Sequence, residues 1–308
     1  PIRNMRGKNL QLSYGESTTF RGNLQMTGLP NIYETFIKLK IRDFSTELGD
    51  IQRFNLPYGE KLSSIPQEIE KFGDIRVKGN FTGFYNDFVS KIDLYSGIGF
   101  LATDLQFTNN KKEDIVYYKG DFSARNFQLG KFLELESDFG KINFDFKLRG
   151  KGLNLATGES KVTGRVDSLN FRGNELQTIF IDANVKENQF EGAFHISDKL
   201  IKTDFRGLVN FDSLHPTFDF DARLRNVRLA KLGLIEIDST ASLSTNIHMN
   251  FTGNEIDSFL GEIHIDSTEF TYEGEEYIMD SLYVISKLDD NLEEAKSISI
   301  RFDFLNGG

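Results

Sequence analysis

Cysteine is absent from this 308-residue chain, which excludes disulfides, thiolate zinc sites and cysteine nucleophiles. Its absence is compatible with an oxidising compartment without requiring one. Tryptophan is absent too, and proline occurs only five times. No apolar run approaches the roughly 20 residues that cross a bilayer as a helix; the best, "SGIGFLA" at 96–102, falls far short. Lys and Arg total 36 against 46 Asp and Glu, a net charge of −10. Such a balance repels nucleic-acid phosphates and anionic membrane surfaces, so no nucleic acid is expected as a partner. The chain opens on Pro1 with no charged and apolar leader behind it, and reads as an excised piece or a mature chain.

What the chain does contain is phenylalanine, 29 residues of it, which argues against disorder. The aromatic residues fall into period-two runs. "KINFDFKLRG" at 141–150 places Ile142, Phe144, Phe146 and Leu148 on one face of a strand, against Lys141, Asn143, Asp145, Lys147 and Arg149 on the other. "FIKLKIR" aligns Ile37, Leu39 and Ile41; "TFDFDARLR" aligns Phe218, Phe220, Ala222 and Leu224; "TNIHMNF" aligns Ile247, Met249 and Phe251. Further runs, "GEIHID" and "KSISIRFDF", bring the pattern to the end of the chain. Turn words separate them, among them "FTGFYND", "FRGNE", "FTGNE" and "YEGEE", and the 27 glycines read as strand-end punctuation. Helical periodicity is confined to 65–73 ("IPQEIEKFG") and 290–296 ("DNLEEAK"). The expected class is all-β.

Internal echoes accompany the strands. "RNFQLGKF" from Arg125 resembles "RNVRLAKL" from Arg225, and "DSLNF" at 167–171 resembles "DSTEF" at 266–270, in the same order and about one hundred residues apart. Shorter echoes pair "FTGFYNDF" with "FTGNEIDSF" and "FGDI" with "FGKI". No Pro/Ser/Gly linker intervenes, so the expectation is one continuous elongated β-repeat body over 1–308, with units near 10–120, 121–220 and 221–308.

Candidate chemistry is sparse. His195, His215, His248 and His264 lack metal-ligand spacing. Asp219 and Asp221 share a strand face, as paired carboxylates in some β-helix enzymes do, but Arg223 and Arg225 continue that face as an alternating-charge surface. "GIGF" at 97–100 lacks the third glycine and following helix of a phosphate loop. The acidic words "YEGEEY" and "LDDNLEE" lack a repeated Asp-x-Asp calcium loop. An enzyme is therefore not expected, nor a metal or other cofactor.

The apolar face itself admits three architectures: a sandwich core, an outer-membrane barrel, or a sheet folded into a greasy trough. The barrel signature includes interfacial aromatic girdles, which a chain without Trp and with scattered Tyr does not supply. Alternation alone does not separate sandwich from trough.

The segment "FRGNLQMTGLPNIYETFIKLKIRDFSTELGDIQRF" at 20–54 resembles the translocation and assembly module TamB family of the AsmA-like superfamily. The likeness lies in a Gly-bearing strand, "GLP", "TFIKLKI" and then "DFSTELGDI", continuing into "NLPYGEKLSSIPQEIEKFGDIRVKGNFTGFYNDF" at 55–88. It is fairly specific from about 10 to 110 and a general β-repeat texture beyond. The resemblance implies an elongated, twisted sheet folded into a hydrophobic trough, a β-groove with at most one or two short helices. It also implies a large periplasmic protein of a Gram-negative bacterium, anchored in the inner membrane through a part N-terminal to this one. A C-terminal part would meet an outer-membrane insertase barrel. Function follows as phospholipid transport between the membranes, serving outer-membrane biogenesis, with phospholipid acyl chains as the partner. The alternative is a chaperone-like scaffold that offers strand edges to outer-membrane β-barrel proteins. On the lipid reading the expected lining is Ile37, Leu39, Ile41, Ile142, Phe144, Phe146, Leu148, Phe218, Phe220, Leu224, Ile247, Met249 and Phe251.

Overall fold

A computed structural model describes residues 3–53, 70–110, 115–152, 158–211, 216–236, 240–253, 255, 258–288 and 296–303. Strands account for 74% of the structure, which leaves little helix to cover a sheet face. The chain divides into two compact units, Pro1–Leu153 and Asn154–Gly308.

Unit 1 contains β1 (Asn4–Tyr14), β2 (Thr18–Thr27), β3 (Phe36–Thr46), β4 (Ile75–Phe84), β5 (Asp87–Ser96), β6 (Gly99–Asn110), β7 (Ile115–Gln128) and β8 (Phe139–Lys151). Each pairs antiparallel with the next. Its helices are short: η1 (Ile32–Glu34), α1 (Leu48–Arg53) and α2 (Leu129–Leu133). Unit 2 contains β9 (Glu159–Phe171), β10 (Asn174–Lys186), β11 (Gln189–Ser197), β12 (Lys202–Asn210), β13 (Thr217–Val227), β14 (Ser242–Thr252), β15 (Leu260–Tyr272), β16 (Glu275–Leu288) and β17 (Lys296–Asp303), again paired in chain order. Among the described residues no ladder brings the last strand of a unit back to its first, so the sheet is not closed.

Every alternating run read from the sequence lies in a strand as far as the described residues reach, the last of them to Asp303. Tight turns fix the register between them. Phe171 pairs with Asn174 across Arg172 (φ 46°) and Gly173 (φ 80°), and Tyr272 pairs with Glu275 across Glu273 (φ 51°) and Gly274 (φ 83°). Two consecutive positive φ angles make type I′ turns, whose twist matches that of the flanking strands. A one-residue slip would exchange the two faces, so these turns determine which side is apolar.

The helical expectations fared differently. Of the helix expected over 65–73, residues 65–69 lie outside the described residues, and 70–73 close a turn in which Gly73 N–H donates to Glu70 O at 3.2 Å. The 290–296 segment lies outside them up to 295, and Lys296 opens β17. α1 begins instead in "DFSTELGDI", and α2 in the first "RNFQLGKF" echo.

At α1 the buried Asp50 carboxylate serves as the acceptor for the β1–β2 turn. It receives Ser17 N–H, Ser17 Oγ–H, Thr18 N–H and Thr18 Oγ1–H, each at 2.9 Å. Donation led by the Ser17 backbone N–H holds its carboxyl far below the usual aspartate range. A helix of six residues is thereby tied to the end of a hairpin.

Candidate functional site

Residues directly opposite in antiparallel strands share a face, so the registers trace each apolar surface. In unit 1, Leu39 stands between Leu24 and Phe81; the row continues through Ser90, Leu105 and Gly120 to Leu148. Ile41 stands between Gly22 and Gly79 in a row that reaches Phe122 and Phe146. Ile37 lies between Met26 and Gly83; Phe144 opposes Ala124, and Ile142 opposes Phe127. Seven expected lining residues, from strands one hundred positions apart, thus fall on one face.

Unit 2 repeats the arrangement. Phe218 lies between Val209 and Phe251, Phe220 between Gly207 and Met249, and Leu224 between Thr203 and Thr245. Ile247 follows Ala222 in a row continuing through Ile265 and Leu282 to Phe302. The remaining six expected lining residues therefore share unit 2's face.

Burial distinguishes these faces from a closed core. Of the thirteen residues only Ile142 is buried, at 7% exposure; the other twelve are half-buried. They shield one another along the sheet, as rings do in the pairs Phe88–Phe107 (4.8 Å), Phe144–Phe146 (4.4 Å), Phe194–Phe205 (4.7 Å) and Phe218–Phe251 (4.7 Å).

One end of each face is covered. The covering segment follows the echoed "RN". In unit 1, Phe72, Phe127 and Phe132 make a cluster with centroids 5.5–6.2 Å apart. Lys71 Nζ ties it down by donating to Phe132 O at 2.8 Å and pairing with Glu134 at 2.8 Å. In unit 2, Leu232 is almost wholly buried at 2% exposure. Its neighbours reach the β9–β10 turn, where Asn174 Nδ2 donates to Lys231 O at 2.6 Å and Arg172 to Gly233 O. Phe132 and Leu232 occupy the same place in the two echoed sequences.

Glycine corrects the reading of the sequence. Gly22, Gly79, Gly120 and Gly207 are not strand-end punctuation; they stand within the apolar rows. At Gly207 (φ 147°) a Cβ would lie 2.3 Å from Asp219 O, so no side chain fits, and Phe220 occupies the opposite position instead. The shortage of Cβ atoms signals close backbone approach, with an aromatic neighbour filling the gap.

The polar faces absorb the other candidates. His195 Nδ1 lies 2.7 Å from Asp204, and His248 Nδ1 lies 2.9 Å from Asp221. Asp219 accepts from Asn250 Nδ2 at 3.3 Å. His264 stacks on Tyr283 at 4.0 Å; His215 lies outside the described residues. Among the described residues no group of three or more His, Asp or Glu gathers to hold a metal ion. No family model, curated protein or solved structure matches the chain.

Proposed function

We propose that the chain is a segment of a TamB-like periplasmic bridge whose apolar faces shield phospholipid acyl chains in transit between membranes. What carries the reading is the half-burial of every expected lining residue except Ile142, in cross-strand rows where apolar residues alternate with a few Gly, Ser and Thr. A core residue gains nothing from remaining half-exposed, whereas a surface awaiting acyl chains must.

Each acyl CH₂ removed from water is worth about 0.8 kcal/mol, so a sixteen-carbon chain offers on the order of 12 kcal/mol if fully covered. Apolar side chains recur in every row, with small residues such as Gly120, Ser90 and Thr203 between them, so no single position dominates the energy along the face. Movement then needs no deep well to be climbed and no catalytic group. The polar opposite face, with Lys, Asn and Asp in alternation, keeps such a sheet in solution.

The test is lipid extraction and mass spectrometry of the purified chain, with a soluble β-sandwich expressed and washed identically. About one or more phospholipids per chain, absent from the control, is the expected result. Lipid at the control's level, with the Phe side chains inaccessible to solvent probes, refutes the proposal.

A second reading, strand addition by outer-membrane proteins, draws on β17. It pairs with β16, and Ile298, Ile300 and Phe302 are exposed along it. Retention of an unfolded barrel protein by lipid-free chain is its discriminating measurement.

A further inference from the structure

Unit 1's polar face carries a concavity that the apolar face does not explain. It is an open depression of about 270 Å³, lined by Arg6, Lys8, Lys38 and Lys40, with Asn23 and Asn80 among them, the Leu24–Leu39 pair at its floor and no carboxylate. Four cations around one hollow are unexpected in a chain of net charge −10. Their placement follows from the register. Arg6 opposes Gln25, which opposes Lys38; Asn23 opposes Lys40, which opposes Asn80. Cations on β1 and β3 are therefore held about 10 Å apart with amides between them.

The hollow is shaped by a bulge. The β1–β2 register shifts between Gly7 and Leu10, and Asn9 takes φ 54°. Asn23 Oδ1 accepts Asn9 N–H at 2.8 Å and Arg42 Nη2–H at 3.1 Å, so its remaining hydrogen-bonding capacity is as a donor. Asp43, three residues beyond Lys40 on the same strand, is held by Arg76, whose hydrogen bond keeps its carboxyl below the ordinary range. The four cations themselves have no ion-pair partner among the described residues. Lys38 Nζ lies over the Phe36 ring, 5.8 Å from its centroid, and no carboxylate lines the hollow beside these cations and amides.

We propose that this hollow binds a small phosphate-bearing anion, either a lipid headgroup or a free phosphate ester. Lys and Arg supply charge, and the interleaved amides supply donors for the non-bridging oxygens. A volume near nine times the ~30 Å³ share of a water molecule suits a phosphate with a glycerol-sized substituent. A flat acidic protein surface would match the charge but leave the concavity unfilled. The inference is independent of the apolar face.

The experiment titrates the full chain with glycerol 3-phosphate and with inorganic phosphate by calorimetry. In parallel, sedimentation is measured with phosphatidylglycerol and phosphatidylcholine vesicles. The double variant Lys38→Gln/Lys40→Gln is compared with Lys131→Gln/Lys141→Gln, both checked by circular dichroism. Saturable binding of a soluble phosphate, weakened at least tenfold in the first variant alone, supports a phosphate-ester site. Binding confined to phosphatidylglycerol vesicles, with the same sensitivity, supports a headgroup site. Absence of binding, equal binding by both variants, or variant-sensitive self-association without phosphate binding overturns the proposal.

Discussion

Arg125 in unit 1 and Arg225 in unit 2 hold the same backbone feature with different chemistry. Each precedes an asparagine at positive φ, Asn126 (51°) and Asn226 (50°), in a bulge that shifts the register by one residue. Each arginine donates Nη1–H to the preceding carbonyl at 2.7 Å and to a carbonyl on the next strand. Nη2 then meets the Asp145 carboxylate in unit 1 but the Asn246 amide oxygen in unit 2. After each bulge comes a buried apolar residue, Phe127 or Val227, and then the segment that covers the end of the face. Geometry is repeated; charge is not. Residues 1–153 hold 22 Lys and Arg against 19 Asp and Glu, whereas 154–308 hold 14 against 27. The apolar face is common to the two units, and the polar face is where they diverge.

The largest effect should come from placing charge in that shared face. On the proposed lipid function, Phe144→Asp in unit 1 and Phe220→Asp in unit 2 would each set a carboxylate against acyl chains, at a cost of about 3 kcal/mol on membrane-insertion scales. Co-purifying phospholipid should fall by about a hundredfold at the substituted unit, with the circular dichroism spectrum unchanged. Loss in only one unit would break the comparison and make charge, not apolarity, the determinant.

Next come the buried residues behind the bulges. Phe127→Ala should cost about 3–5 kcal/mol and Val227→Ala about 2, since the larger side chain leaves the larger cavity. Urea midpoints measure both. Equal costs would mean that the two end clusters are not equivalent.

Much of this was legible beforehand because a strand's period is two. "FIKLKIR", "KINFDFKLRG" and "TFDFDARLR" announced both the strands and the faces, and the "RN" echo marked a real repeated bulge. The companion echo did not hold up locally: Ser267 takes φ 52° in a β15 bulge, whereas beside "DSLNF" the positive φ belongs to Thr178 on the partner strand. Register is set by pairs distant in sequence, so short words do not report it. Nor did alternation reveal that mid-strand glycines lie within the apolar rows, since a residue without a side chain leaves no mark on a hydropathy pattern. The basic hollow was hidden for another reason. Whole-chain charge averages two units of opposite balance, and the cations converge only once β1, β2 and β3 are paired.

Asp50 sharpens the comparison through pH. Its carboxyl is held low by donors from Ser17 and Thr18, so the stability it contributes is present above the ordinary aspartate pKa of about 3.9. That stability is lost progressively as pH falls toward the lower folded value. Asp50→Asn should lower the melting temperature by about 5 °C at pH 7, and the gap to wild type should narrow as pH falls below 4. A gap independent of pH would show that packing, not ionisation, makes Asp50 matter.

The smallest effect tests the repeat itself. A non-glycine residue in the left-handed region costs roughly 1–2 kcal/mol, which asparagine partly escapes. Asn126→Ala and Asn226→Ala should therefore each destabilise by about 1 kcal/mol, and Asn→Gly at either site by much less. The backbone N–H bonds at these positions, Asn126 to Asn143 Oδ1 at 2.7 Å and Asn226 to Ser244 Oγ at 3.0 Å, survive all four substitutions. What is measured is thus the conformation alone. If both sites yield the same difference between Ala and Gly, the bulge is one device used twice, held by its φ angle and indifferent to whether Asp145 or Asn246 receives the arginine. If only unit 1 responds, the Arg125–Asp145 pair is what sets the bulge, and the sequence echo describes a shape that unit 2 keeps by other means.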